Sequence, residues 1–274
     1  MTKMATLELP DSIYNWINDF FRDRQHCTRY AGQSSSVAAI TASIIQGSGL
    51  GPASYIITAA DLHPVTNGNR IVKFADDTYL VVPASNSSSR LLEIDYILTW
   101  AAENNLMLNC SKSKEMIFTP RGKRGKSVQL GLPSPSLDIE RVSSLRVLRV
   151  IVNDQLTATD HVSNILASCN SLLYALRILR SHGIPVTSLH DVFRATVIAK
   201  LTYCAPSWSG ACSAADRAKL ESFVSRCERL AYCSSEVPTY SDLTAEADDT
   251  LFSRIMTNHG HVLQPFLPDR HSIT

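Results

Sequence analysis

The chain has 274 residues, 45% of them hydrophobic and 19% charged, a mixture that excludes a disordered polymer and suits one large or two small globular domains. No signal-peptide pattern opens it and no uninterrupted apolar run has the length of a membrane span, so the expected setting is intracellular with no membrane partner. Its net charge of +1 provides no bulk attraction to nucleic acid; its seven cysteines, odd in number and without CxxC spacing, point to reduced thiols and away from structural zinc.

Leu9-Pro10-Asp11 opens the first predicted helix, with proline suited to its first turn. Ile13, Trp16, Ile17 and Phe20 form its apolar stripe, and Arg22 and Arg24 close it where cations favour the dipole. Residues 29–45 alternate only loosely. Gln46-Gly47-Ser48-Gly49-Leu50-Gly51-Pro52 follows, a turn whose glycines permit positive φ and close approach of backbone to a ligand. It matches neither G-x-G-x-x-G nor the P-loop. Residues 53–62 read equally as helix or buried strand.

Residues 71–74 and 79–82 read as two strands, bounded by Gly68-Asn69 and Pro83, which puts Asp76-Asp77 at a hairpin tip. Adjacent carboxylates repel, and turn chemistry does not require both. A divalent cation would relieve the repulsion, since Mg²⁺ is commonly held by one or two carboxylates together with substrate phosphates. The same tetrapeptide, Ala-Asp-Asp-Thr, recurs from Ala247 to Thr250 with no strand on either side, where a solvated loop or an acidic helix start explains it.

Asn86 to Ser89 is a polar break, and Leu91, Ile94, Leu98 and Ala101 mark a helix ending near Asn104-Asn105. Lys112-Ser113-Lys114 precedes a predicted strand over 115–119. The basic run 121–126, with Pro133 and Pro135, forms a long loop able to touch phosphate. Residues 145–152 carry strand character interrupted by Arg146 and Arg149.

From Thr159 the pattern is helical only. Val162, Ile165, Leu166, Cys169, Leu172, Leu173, Leu176 and Leu179 form one stripe between Asp160 and Gly183, and Leu189, Val192, Phe193, Thr196, Val197 and Leu201 form a second. Ser213-Ala214-Ala215-Asp216 has the form of a capping box ahead of Leu220, Phe223, Val224, Cys227 and Leu230. These patterns divide the chain into domains 1–153 and 154–274.

The Gly turn with Asp61-Leu62, Phe74-Ala75-Asp76-Asp77, residues 108–114 and 145–150 stand in an order that resembles the reverse transcriptases of non-LTR retrotransposons, the LINE type, closest to jockey- and CR1-like members. Leu9-Pro10 and Tyr14-Asn15-Trp16 resemble the helix before the Gly turn; residues 174–177 and 199–203 resemble the following thumb. The resemblance implies an α+β fold: a partial right-hand polymerase palm with antiparallel strands, then an all-helical thumb-like region. It also implies an RNA-directed DNA polymerase, a nucleotidyltransferase using two Mg²⁺ ions, an RNA template, a DNA primer and deoxynucleotides. By position, Asp76 matches the carboxylate that binds both metals, and Asp77 its less directly involved neighbour. Gln46, Gly47 and Ser48 match the segment lining the nucleotide and template site. Lys112 matches the lysine proposed as general acid toward pyrophosphate.

Two departures bear on activity. The family's other metal carboxylate lies in a Phe-Asp-x-Val stretch upstream of the Leu-Pro helix, and Asp11, Asp19 and Asp23 do not have its setting. The hairpin that ordinarily reads Leu-Gly-Val is Leu148-Arg149-Val150 here, so arginine would be strained if that glycine holds a positive φ. The sequence is therefore expected to be a truncated polymerase fragment, inactive alone. The competing readings are a non-catalytic nucleic-acid binder using Arg177, Arg180, His182 and the 121–126 loop, or a relic without function.

Overall fold

A computed structural model describes residues 2–40, 47–119, 139–234 and 237–268. The chain forms two compact units, Met1–Asn109 and Cys110–Thr274. Helices and small, mostly antiparallel, two-stranded sheets make up both, so the fold is α+β.

The first unit begins with α1 (Thr2–Ala5) and α2 (Asp11–Phe21), the latter starting directly after Pro10 as its sequence predicts. Of its expected stripe only Ile17 is buried; Trp16 is 58% exposed and stacks on Phe20. Arg24 lies over the Phe20 ring at 3.8 Å, so the helix end is closed by a cation–π contact. Four two-residue strands follow: β1 (Gln25–His26) pairs with β4 (Ala38–Ala39), and β2 (Arg29–Tyr30) with β3 (Gln33–Ser34).

The stretch 53–62 resolves into helix α3 (Gly51–Thr58), with Pro52 in its first turn. Strands β5 (Arg70–Phe74) and β6 (Asp77–Val81) form an antiparallel hairpin, and α4 (Arg90–Glu103) packs beside them. The small core holds Ala59, Leu62, Trp100 and Ala101, with Tyr55, Ile71, Tyr96 and Ile97 against it. The buried face of α4 differs from the predicted one. Glu93, Trp100 and Ala101 are buried, with Tyr96 and Ile97 partly so, whereas Leu91 is 56% exposed. The stripe has helical spacing, but a carboxylate heads it, and an apolar count passes over that residue.

Glu93 is wholly buried because its acceptors are used. It receives the amides of Val65 at 3.0 Å and Thr66 at 2.7 Å, and the Asn69 side chain at 2.8 Å. Burial opposes its ionisation, yet these hydrogen bonds prevail and hold its pKa below the usual glutamate value. Asn69 in turn bonds Ser89 and accepts from Asn86, so the polar break at 86–89 is part of the clamp that holds the approach to β5.

The second unit opens with a short parallel pair, β7 (Lys114–Glu115) and β8 (Glu140–Arg141), tied across the register by Arg141 and Glu115 at 2.7 Å. The strand expected over 115–119 thus pairs only at its first residue. Strands β9 (Ser144–Val147) and β10 (Val150–Asn153) form a hairpin whose turn residues Leu148 and Arg149 have φ of 45° and 72°. Both lie in the left-handed region, the arrangement of a type I′ turn, so the strain anticipated at Arg149 is present.

Helices α5 (Thr159–Ser181), α6 (Val186–Phe193), α7 (Ala199–Thr202), α8 (Ala214–Arg229) and α9 (Tyr240–Thr257) complete it, with a π-helical segment Arg194–Ile198 joining α6 to α7. The core combines Val162, Ile165, Cys169, Leu173 and Leu176 of α5 with Leu189, Phe193 and Val197, and with Leu220, Phe223, Val224 and Cys227 of α8. The capping box forms as its sequence predicts: Asp216 N–H donates to Ser213 Oγ at 3.1 Å, and Ser213 N–H to Asp216 Oδ2 at 3.3 Å. The 23-residue α5 is long and apolar enough to cross a membrane by length and composition, which the run count in the sequence does not reveal. Its apolar stripe is spent on this core.

The hairpin β9–β10 belongs by contact to this second unit, so the units divide at Asn109/Cys110 whereas the sequence pattern divides near Asn153. The contacts are specific. Ile151 N–H donates to His161 Nδ1 at 3.2 Å, and Tyr203 Oη donates to Leu148 O at 3.2 Å.

Candidate active site

The β5–β6 register pairs Phe74 with Asp77, leaving Ala75 and Asp76 as the two turn residues. Ala75 has φ 50°, and both carboxylates are exposed at the tip. Antiparallel pairing sorts the side chains onto two faces. Ile71 pairs with Leu80 and Lys73 with Thr78 on the inner face; Phe74 with Asp77 and Val72 with Tyr79 lie on the other.

Lys73 explains why the tip is held against α3. Its ammonium donates to the carbonyls of Ala59 at 2.5 Å and Leu62 at 3.0 Å, just beyond the end of that helix. Cationic donors are favoured at carbonyl-rich helix ends. On the other side of the same segment, Asp61 pairs with Lys3 at 2.6 Å and accepts from Trp100 Nε1 at 3.0 Å. Desolvation works against the Asp61 charge, but these hydrogen bonds overcome it and lower its pKa. Asp61 is thereby committed to a structural pair.

Tyr55 of α3 feels the tip. Burial raises its pKa, and the charges of Asp76 and Asp77 raise it further. Tyr79 behaves similarly: burial raises its pKa first, and the neighbouring Asp77 carboxylate raises it further. The site is therefore a carboxylate pair flanked by two phenols, built from the hairpin and from the helix that follows the Gly turn. Both carboxylates are open to solvent, Asp76 in the turn and Asp77 at the first residue of β6.

Gly47 has φ 79° with open space around its Cα, so the conformation and not crowding requires glycine there. Ser48 lies in the turn, its carbonyl accepting Gly51 N–H at 3.1 Å. Gln46 lies outside the described residues. Lys112 sits in an exposed turn of the second unit, a different compact unit from Asp76. The hard oxygen donors of Asp76 and Asp77 suit Mg²⁺. Among the described residues, no group of three or more histidine, cysteine, aspartate or glutamate side chains forms a metal site.

The repeated Ala-Asp-Asp-Thr lies within α9, its two aspartates exposed on the helix surface. Arg180, one of the expected phosphate ligands, is already occupied: it donates to Leu230 O at 2.6 Å beyond the end of α8 and lies over the Tyr232 ring at 4.4 Å. The loop 121–126 lies outside the described residues. Tyr55, Lys73 and Glu93 are the residues that sequence reasoning missed. Lys73 could have been found, because strand alternation puts it on the face of Ile71, where a cation needs an acceptor.

Residues 1–157 match the family described as reverse transcriptase (RNA-dependent DNA polymerase), more than half of the chain. The chain belongs to the reverse transcriptase family. It is 28% identical over 167 residues to the RNA-directed DNA polymerase from mobile element jockey of Drosophila melanogaster, and 23% identical over 165 residues to the probable RNA-directed DNA polymerase from transposon X-element of the same fly. Each match takes in 57% of this chain and 18% of the relative, so the chain spans less than a fifth of the curated relatives it matches. No solved structure matches. The resemblance to retrotransposon reverse transcriptases is thus borne out, and the Asp76 hairpin lies inside the matched segment while the repeat at 247–250 lies outside it.

Proposed function

We propose that this reverse transcriptase segment contributes to template-directed addition of deoxynucleotides to a DNA primer on an RNA template, with the Asp76 tip as its metal-binding centre. The observation that carries the reading is the tight hairpin inside the family match, with Tyr55 of the helix after the Gly turn within reach of both carboxylate charges. In this reading the first unit is the greater part of a polymerase palm and the helices from Thr159 onward are thumb-like. Antiparallel hairpins accompanied by helices support that reading.

Each residue has a role. Asp76, exposed in the turn, binds the ion, and Asp77, paired with Phe74 at the start of β6, is its less directly involved neighbour. Gly47 and Ser48, with Gln46, line the nucleotide and template site, where positive φ lets the backbone come close. Lys112 donates a proton to the departing pyrophosphate. Mg²⁺, when bound, lowers the charge that develops on the attacking and leaving oxygens of the in-line transfer. Seven cysteines without CxxC spacing fit a reducing, intracellular setting, and the isolated chain, with two carboxylates at the tip, is inactive in this account.

The test is primer extension on an RNA template. The isolated chain is expected to give no product. Grafted in place of the matching segment of the jockey polymerase, residues 1–157 are expected to extend the primer, and Asp76→Asn to abolish extension. Undiminished extension by a grafted Asp76→Asn variant would overturn the assignment of the metal site.

A further inference from the structure

Helix α3 is held differently at its two ends. At the start, the Gly turn is bonded into the first turn: Ser48 O accepts Gly51 N–H at 3.1 Å, and Leu50 O accepts Ser54 N–H at 2.9 Å. At the far end the last carbonyls lack intrahelical donors. Two lysines from outside the helix supply them. Lys3 of α1 donates to Thr58 O at 2.7 Å, and Lys73 of β5 donates to Ala59 O at 2.5 Å and Leu62 O at 3.0 Å.

The two lysines are not equivalent. Lys3 also pairs with Asp61 at 2.6 Å and lies 5.1 Å from the centre of the Trp100 ring. Asp61 stands between the two carbonyls that Lys73 reaches, yet it is taken by Lys3 and Trp100. Among the described residues no carboxylate lies within ion-pair distance of Lys73. Lys73 is half-buried on the inner face of the hairpin, and backbone carbonyls orient its ammonium. Strand β5 is therefore anchored twice: at its approach by Asn69 and Glu93, and near its end by Lys73. From Phe74 to Thr78 every residue is exposed, so Lys73 is the last anchored residue of β5 before Asp76, three positions on.

We propose that Lys73 is a positioning residue for nucleotidyl transfer, fixing Asp76 relative to the Gly turn through α3. The inference rests on the reading of Asp76 as the metal-binding centre and of Gly47 and Ser48 as lining the nucleotide site. Helix α3, Gly51–Thr58, is a rigid spacer of about 12 Å at 1.5 Å per residue, with the Gly turn at one end and Lys73 at the other. A cation is favoured at the carbonyl-rich end, and an ammonium carries enough donors for two acceptors. A reaction between a held nucleotide and a held ion depends on their relative placement, where an error of about 1 Å can cost on the order of a hundredfold in rate. With its donors turned to backbone, Lys73 acts through Asp76 and makes no contact with phosphate.

Amide hydrogen exchange of the full chain, free of metal, tests the anchor. Lys73→Met keeps the length of the stem and leaves Glu93 and the small core in place, so the first unit should remain folded. Exchange at residues 74–79 should quicken about tenfold, that at α4 should not change, and Lys73→Arg should restore most of the protection. In the unmodified chain the Lys73 ammonium should give a slowly exchanging proton resonance, a readout that needs no variant to fold. In the jockey graft described above, Lys73→Met should lower kcat on the order of tenfold, with KM for the nucleotide within about twofold of the unmodified graft and kcat recovered by Lys73→Arg. A residue that served stability alone would reduce the amount of competent enzyme and leave kcat per competent site unchanged. Four results would overturn the proposal: unchanged exchange at 74–79 in folded Lys73→Met, a Lys73 ammonium exchanging as fast as solvated lysines, undiminished kcat in a graft that Asp76→Asn inactivates, or a raised KM with kcat intact, which would make Lys73 a nucleotide contact. An unmodified graft that fails to extend would sink the polymerase reading and leave the exchange comparison to decide the anchor.

Discussion

Arg149→Gly is expected to stabilise the second unit. Arg149 occupies a hairpin turn at φ 72°, where a residue with a Cβ meets its own carbonyl at a cost of about 1–2 kcal/mol. Glycine removes that strain but loses more freedom on folding, which returns roughly 0.5–1 kcal/mol. The net gain is about 0.7 kcal/mol, read as a rise of about 0.3 M in the urea midpoint by far-ultraviolet circular dichroism. Arg149→Ala separates backbone from side chain, because alanine keeps the strained φ while losing the guanidinium. It should unfold near the wild-type midpoint. If Arg149→Gly were no more stable than the wild type while Arg149→Ala was unchanged, the strain argument would be refuted, since the side chain would then have nothing to mask.

Three further outcomes follow from particular groups. Glu93→Ala strands the Asn69 amide and two backbone N–H groups; water can reach the latter in part, so the first unit should lose about 2 kcal/mol in denaturant unfolding. His161 is buried, and burial together with the nearby Arg146 charge lowers its pKa below the ordinary 6.5. The unfolded chain then binds that proton more readily, so the stabilisation is complete above pH 6.5 and declines as pH falls below it. His161→Gln should flatten the decline, whereas losses due to Asp216, Asp61 and Glu93, whose pKa values are also lowered, begin only near their ordinary values of 3.8 to 4.5. In a thiol assay the exposed Cys27 and Cys204 should react first; Cys169, pushed up to about 11, and Cys227, pushed up to about 12 by burial, should react only on unfolding.

Sequence reading is strongest where one pattern decides the outcome. The Asp76 hairpin, the Ser213 capping box and the α5 stripe are legible because strand flanks, a Ser-x-x-Asp signal and a long apolar period each admit one local structure. The turn at Leu148-Arg149 is legible for another reason: the family pattern puts a glycine where φ proves positive. The α4 face is misread because its key buried residue is Glu93, whose burial depends on donors more than twenty residues away in sequence. Trp16 has the helical spacing of a core residue and is nevertheless exposed, since spacing says which residues share a face but not what covers it. Arg180 looks available for phosphate in the sequence because its acceptor, Leu230 O, lies beyond the end of another helix and leaves no local trace.

The central claim is that one of two identical Ala-Asp-Asp-Thr segments is a metal-binding, nucleotidyl-transfer centre while the other is a solvated helix surface. Paramagnetic line broadening by Mn²⁺ in the amide spectrum of the deuterated full chain tests this directly, because each copy serves as the other's control. Selective broadening is expected at residues 74–79, lost in Asp76→Asn, with residues 247–250 unaffected at the same ion concentration. Equal broadening at both copies, or broadening at 247–250 alone, would contradict it.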